Sequence, residues 1–178
     1  MKLKQYLKST GFAIAFCNIG SMQANEVEPD LCKETEHVYF SCASQEKIIS
    51  VCSAKRSYDG YWYLAYRFGE SHSEIEIEIS AEAQDFNDHF TFAYSGYAKG
   101  STYELSVYNP PLTYLVHADT HAFRSDAAGA FVFNNQEVET YYSCNNSRLK
   151  TEGSHQLYDL VGEGFPVQEA SHIGTPGP

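Results

Sequence analysis

The chain is predicted to be all-β: one antiparallel domain of about eight to nine short strands, closed as a barrel or packed as a sandwich and stapled by disulfides. Three observations point there. Apolar and polar residues alternate with period two, most cleanly in Ser73–Ser80 (SEIEIEIS). The composition is aromatic-rich, with 14 Tyr and 11 Phe, and leucine is scarce. Rings and β-branched side chains fit a pleated surface. Turn residues punctuate the chain at short intervals, and no long stretch has helical period.

The elements follow in order. Met1–Ala24 carries Lys2, Lys4 and Lys8, then the apolar run Gly11–Cys17, then small residues ending at Ala24. That order is expected of a secretory signal peptide cleaved after Ala24. The apolar run is about half the ~20 residues that span a bilayer. No later segment comes close, so no membrane span is expected in the mature chain. Phe16 precedes Cys17 where lipid attachment wants a small residue, so no lipid anchor is expected.

Residues 25–151 are the expected β domain, and 152–178 a C-terminal extension whose end is expected to be disordered. Asn25–Glu36 is an acidic leading segment tied down by Cys32. His37–Cys42 and Lys47–Ser53 read as a hairpin over the turn Ser44–Glu46. Lys55–Gly60 is a second turn, signalled by Asp59-Gly60. Tyr61–Phe68 is a strand closed by Gly69. Ser73–Ser80 points Ile75, Ile77 and Ile79 inward and Glu74, Glu76 and Glu78 to water.

Ala81–His89 is polar, a loop or one helical turn. Phe90–Tyr94 is a short strand, and Ser95–Gly100 (SGYAKG) a Gly-flanked loop. Ser101–Tyr108 alternates again and ends at Asn109-Pro-Pro111, which turns the chain. Leu112–Ala118 is a strand and Asp119–Ala128 a polar connection. Gly129–Asn134 and Glu137–Cys144 form a final hairpin around Asn135-Gln136. The tail has one apolar cluster, Leu157–Val161.

Four cysteines remain after the signal: Cys32, Cys42, Cys52 and Cys144. An even number in an exported chain implies two disulfides, and a periplasmic or secreted location. In the first hairpin Cys42 should lie opposite Ile48 and Cys52 opposite Val38. Their sulfurs are then too far apart for a bridge. Two connectivities remain. Cys32–Cys52 with Cys42–Cys144 is preferred, because it would staple the last strand onto the first. No Cys-x-x-Cys spacing supports a zinc site.

The chain has 12 Lys+Arg against 23 Asp+Glu, a net charge of −11. The signal carries three of the cations and no acid, so the mature 154 residues stand at −14. Such a surface repels phosphates, which excludes nucleic acid as a partner. It speeds association with cationic proteins.

Few residues are placed for chemistry. His117, Asp119 and His121 would share a face if they lay on a strand, a weak candidate for metal. Asp85, Asp88 and His89 are weaker. No Gly-x-Ser-x-Gly elbow or phosphate loop is present. Glu74, Glu76 and Glu78 read as a solvated face. Asn145-Asn-Ser147 fits a glycosylation sequon and is assigned no role. No enzyme activity and no cofactor are expected. The loop residues Ser95, Gly96, Tyr97 and Lys99 are the better binding candidates, an aromatic and a cation at the tip of a β scaffold. Tyr58, Tyr61 and Trp62 are a second aromatic group.

Phe40-Ser-Cys42, Ile49-Ser-Val-Cys52, Tyr63–Gly69, Ser95-Gly96 and Cys144 resemble a family of small exported cysteine-containing β proteins of Gram-negative bacteria. The resemblance covers most of Cys32–Cys144 and implies compartment and architecture, not activity. The chain departs from it at Tyr97-Ala-Lys99 and in its longer acidic tail. Ser95-Gly96 also resembles the start of the Ser-Gly-x-x-Tyr loop with which periplasmic lysozyme inhibitors enter their target's cleft. The motif's tyrosine is missing, and Tyr97 or Lys99 would have to substitute. The reading that follows is an exported binding protein. It would act as an inhibitor or immunity-type protein against a basic partner, a lysozyme-like cell-wall hydrolase or toxin. The alternatives are a metal-binding or enzymatic domain using His117, Asp119 and His121, or an envelope structural component.

Overall fold

A computed structural model describes residues 30–55, 62–82, 84–123, 127–144, 157, 159 and 160. The expected signal, the turn over 56–60 with Tyr58 and Tyr61, the sequon, and nearly all of the tail lie outside them.

Among the described residues, nine strands make two antiparallel sheets, each a simple meander. Sheet 1 is β1 (His37–Ser44), β2 (Lys47–Lys55), β3 (Trp62–Ser71) and β4 (Glu74–Glu82). Sheet 2 is β5 (Phe90–Tyr97), β6 (Gly100–Asn109), β7 (Leu112–His121), β8 (Ala127–Asn134) and β9 (Glu137–Ser143). The described strands do not close a barrel: β1, β4, β5 and β9 are outer strands with one partner each. The chain crosses between sheets through α1 (Phe86–His89), whose Phe86 is fully buried and stacks on Phe90 at 5.4 Å.

The sheets share one core. Leu64, Tyr66 and Phe68 of β3 meet Tyr114 and Val116 of β7 and Tyr142 of β9. Tyr66 stacks on Tyr114 at 5.3 Å, and Phe68 meets the edge of Tyr142 at 5.0 Å. Ile77 and Ile79 pack against this core but stay only partly buried, because β4 is an outer strand. Leu157 and Leu160 join it, fully buried.

The register of the first hairpin corrects one expectation. Cys52 pairs with Val38, but Cys42 pairs with Ile49 rather than Ile48. The turn is shorter by one residue, and a bulge at Tyr39 absorbs the difference, so Tyr39 and Phe40 are both buried. Several strands also outrun their expected ends. β5 continues through Tyr97 and β7 through His121, because each keeps a paired neighbour there.

Two disulfides form, Cys32–Cys52 and Cys42–Cys144. They lie on opposite faces of sheet 1. Cys42 belongs to the core with Ile49 and Val51, while Cys52 alternates with them and faces outward. No helix among the described residues is long and apolar enough to cross a membrane.

On the outer face of sheet 1, Asp30–Glu36 forms a strap over β2 and β3. Leu31 is fully buried, and its amide donates to Ser50 Oγ at 2.9 Å. Beneath the strap lies Arg67, fully buried. Its guanidinium donates to both Glu36 oxygens at 2.5 and 2.8 Å, to Glu78 Oε1 at 2.9 Å, and to the Leu31 carbonyl at 3.3 Å. Tyr63 OH and the Lys33 amide also donate to Glu36, at 2.5 and 2.7 Å. Burial pushes the Glu36 carboxyl up, but hydrogen bonds from Arg67, Tyr63 and Lys33 outweigh it and hold the group below its usual range.

Replacing Glu36 by Ala should therefore cost about 2–3 kcal/mol, because Arg67 loses its bidentate partner and keeps Glu78 and the Leu31 carbonyl. In the native chain this contribution is present above the ordinary carboxyl value of 4.5 and lost as pH falls through the lowered native one. Urea denaturation across that pH range should show an acid-side slope that Glu36→Ala reduces. Removal of Cys42–Cys144, which closes a separation of 102 residues, should cost about 4–5 kcal/mol. Removal of Cys32–Cys52, separated by 20, should cost about 3 kcal/mol. Equal losses in the two paired Cys→Ala variants would rule out loop entropy as the main term.

Candidate functional site

One end of sheet 2 brings together two groups that are distant in sequence. The expected Ser95–Gly100 loop is only two residues long, Ala98 and Lys99, because β5 runs to Tyr97 and β6 starts at Gly100. Ser95 pairs with Thr102 and Gly96 with Ser101, so both sit within the ladder rather than at its tip. The expected connection at Asp119–His121 is also strand: Thr102 pairs with Asp119 and Gly100 with His121.

This puts Tyr97 beside Asp119. The Tyr97 hydroxyl donates to Asp119 Oδ1 at 2.6 Å and lies 3.2 Å from the Thr120 carbonyl. Thr102 Oγ1 donates to the same carboxylate oxygen at 3.1 Å. The crossing requires a glycine below it. A Cβ at Gly100 would stand 2.0 Å from Thr120 O and 2.9 Å from the Tyr97 ring.

The chain then turns outward through Ala122 and Phe123. The Ala122 amide donates to Lys99 O at 2.8 Å, and the Phe123 amide to His121 Nδ1 at 3.1 Å. The Phe123 ring is 76% exposed, with Lys99 Nζ 5.0 Å from its centroid. Phe123 is absent from the sequence-based candidates. Its one signal is that it is a lone large apolar residue inside a polar stretch.

His117, Asp119 and His121 share the outer face of β7, but each has its own partner. His117 Nε2 lies 3.1 Å from Tyr141 OH, Asp119 accepts from Tyr97 and Thr102, and His121 accepts from Phe123. Burial pushes the His117 pKa down to about 4, with the charge of Asp119 opposing, so the imidazole is neutral at physiological pH. Among the described residues, the one group with three ligand atoms within 4.8 Å is Cys32, Glu36 and Cys52. Its two sulfurs are bonded to each other.

The remaining candidates have structural surroundings. Trp62 packs against the core. Glu76 pairs with Lys47, and Glu78 with Arg67. Asp85, Asp88 and His89 line a cleft of about 400 Å³ with Lys33, Tyr63 and Glu82. Comparison with family models, with curated proteins and with solved structures gives no match to this chain.

His117 should titrate near pH 4 in the folded protein, read from its imidazole NMR resonances. The unfolded chain takes up this proton near 6.5, so stability is full above that value and declines as pH falls toward 4. The slope from this residue is about 1.4 kcal/mol per pH unit. His117→Gln should remove it; an unchanged slope would mean that the folded and unfolded states take up the His117 proton alike.

Proposed function

We propose that this chain is an exported, non-enzymatic binding protein that neutralises a basic partner, a lysozyme-like cell-wall hydrolase or a secreted toxin. Its working surface is the tip formed by Tyr97, Lys99, His121 and Phe123. The observation that carries the reading is Phe123, a 76% exposed ring on a hydrogen-bonded frame. Binding energy concentrates in aromatic anchors, and a frame ordered in advance lowers the entropy lost on docking.

Charge supports the same reading. Glycoside hydrolases act with paired carboxylates in a cleft. A basic enzyme of that kind offers acid groups to Lys99 and a cationic surround to the rest of this acidic chain. In the Ser-Gly-x-x-Tyr pattern counted from Ser95, Lys99 stands at the tyrosine's place. The resemblance to exported β proteins of Gram-negative bacteria agrees with a periplasmic or secreted site of action.

The test is inhibition of several lysozyme types by the oxidised mature protein, read by cell-wall clearing. Phe123→Ala should weaken inhibition by about tenfold or more. Ser95→Ala should weaken it less, since Ser95 lies within the ladder. Inhibition should fall as salt rises. No inhibition of any lysozyme type would discard the lysozyme reading.

A further inference from the structure

The tip holds its exposed ring by a bond that depends on the charge of a neighbour. Two hydrogen bonds fix the backbone just past β7. The Ala122 amide donates to Lys99 O at 2.8 Å, and the Phe123 amide donates to His121 Nδ1 at 3.1 Å. The first joins two backbone groups, which do not titrate. The second needs a lone pair on Nδ1. A neutral imidazole has one accepting nitrogen and a protonated one has none. The bond to Phe123 therefore exists only while His121 is neutral, with its proton on Nε2.

Protonation costs the tip more than this bond. An N–H on Nδ1 would face the N–H of Phe123, donor against donor. The His121 ring also stands 6.2 Å from the Phe123 ring at 64°, and Lys99 Nζ already lies 5.0 Å from that ring's centroid. A charged His121 would be a second cation at the same ring, and like charges repel.

The groups around His121 decide where a charged imidazole turns. On β7, Asp119 shares its outer face, and the carboxylate is engaged by the Tyr97 and Thr102 hydroxyls. From β5, the Tyr97 ring lies 6.1 Å from the His121 ring. Lys99 comes from the turn between β5 and β6. On β6, Gly100 stands opposite His121 and brings no charge. On β8, Ala127 ends the ladder beside Asp119 and brings none either. Asp119 is the one anion among these described groups, so a charged imidazole is drawn toward it and away from the Phe123 amide.

We propose that His121 is a pH-sensitive latch for Phe123. Neutral, it holds the ring in the position presented to a partner; protonated, it releases it. The consequence for docking rests on the reading of Phe123 as the anchor of the working surface. Docking is then tighter at neutral pH than in acid, because order set in advance is lost on protonation.

The test reads Phe123 with no partner present. In the isotope-labelled oxidised protein, the scalar coupling between the Phe123 amide nitrogen and His121 Nδ1 should be present at about pH 8 and vanish by about pH 5, the range in which histidine changes charge. The Phe123 amide shift should follow the His121 ring resonances with one midpoint, while the Ala122 amide keeps its protection. His121→Asn places an amide oxygen near the position of Nδ1 and does not titrate, so its Phe123 amide should stay protected from exchange throughout. His121→Phe has no acceptor and should lack the bond at every pH. The latch is overturned if the coupling is absent at the neutral end, if it survives protonation of His121, or if His121→Asn shows the parent's acid transition. Where a lysozyme is inhibited, the parent should lose about fivefold relative to His121→Asn from the neutral to the acid end. Equal loss in both would also overturn the latch. No inhibition by any of the three forms would strike the inhibitor reading alone, because the coupling decides the latch. Circular dichroism of each variant distinguishes a lost bond from a lost fold.

Discussion

Two meander sheets that share no backbone ladder can be held face to face only by their side chains, and that requirement organises the molecule. No strand of sheet 1 pairs with a strand of sheet 2. The clamp consists of the Tyr66–Tyr114 and Phe68–Tyr142 ring contacts, the Cys42–Cys144 bridge, and Leu157 and Leu160. The aromatic richness of the chain has its physical meaning here. Large rings bury much area each and reach across the gap between pleated layers. A barrel would have shared hydrogen bonds between β4 and β5 or between β1 and β9. In their place the chain has a short helix that inserts Phe86 and a bridge at the far end.

The outer face of sheet 1 answers a different problem. Arg67 cannot be removed from water without partners, and it finds Glu36, Glu78 and the Leu31 carbonyl. An ion pair of this kind adds little net stability compared with an apolar replacement. It does require one arrangement of the strap, because few positions of Glu36 satisfy both the guanidinium and Tyr63. The second disulfide secures the same strap covalently.

Much of the architecture was legible from alternation alone, since period two assigns each side chain to a face without reference to the rest of the chain. The bulge at Tyr39 was not, because it leaves no local mark in Val38-Tyr-Phe40 and is set by how β1 must meet the core. The ends of β5 and β7 were hidden for a related reason. Ser95–Tyr97 and Asp119–His121 have loop-like composition and become strand only because each supplies the other's neighbourhood through β6. The tip was half visible: Tyr97 and Lys99 came from one candidate group, Asp119 and His121 from another. Their meeting depends on β6 lying between them, which no spacing rule encodes. Phe123 stood outside both groups because a single ring in a polar stretch has no period.

The placement of one bridge on each face of sheet 1 has a consequence for how the chain oxidises. Synthesis delivers Cys32, Cys42 and Cys52 well before Cys144. Three thiols waiting together invite a wrong pair. Once the first hairpin forms, the sheet itself is a partition, with Cys42 on the inner side and Cys32 and Cys52 together on the outer side. The outer pair lies within one local unit, while the partner of Cys42 is 102 residues away. The hairpin thus sets Cys42 apart from Cys32 and Cys52 by the thickness of a sheet, so the native pairs are the ones whose sulfurs share a face.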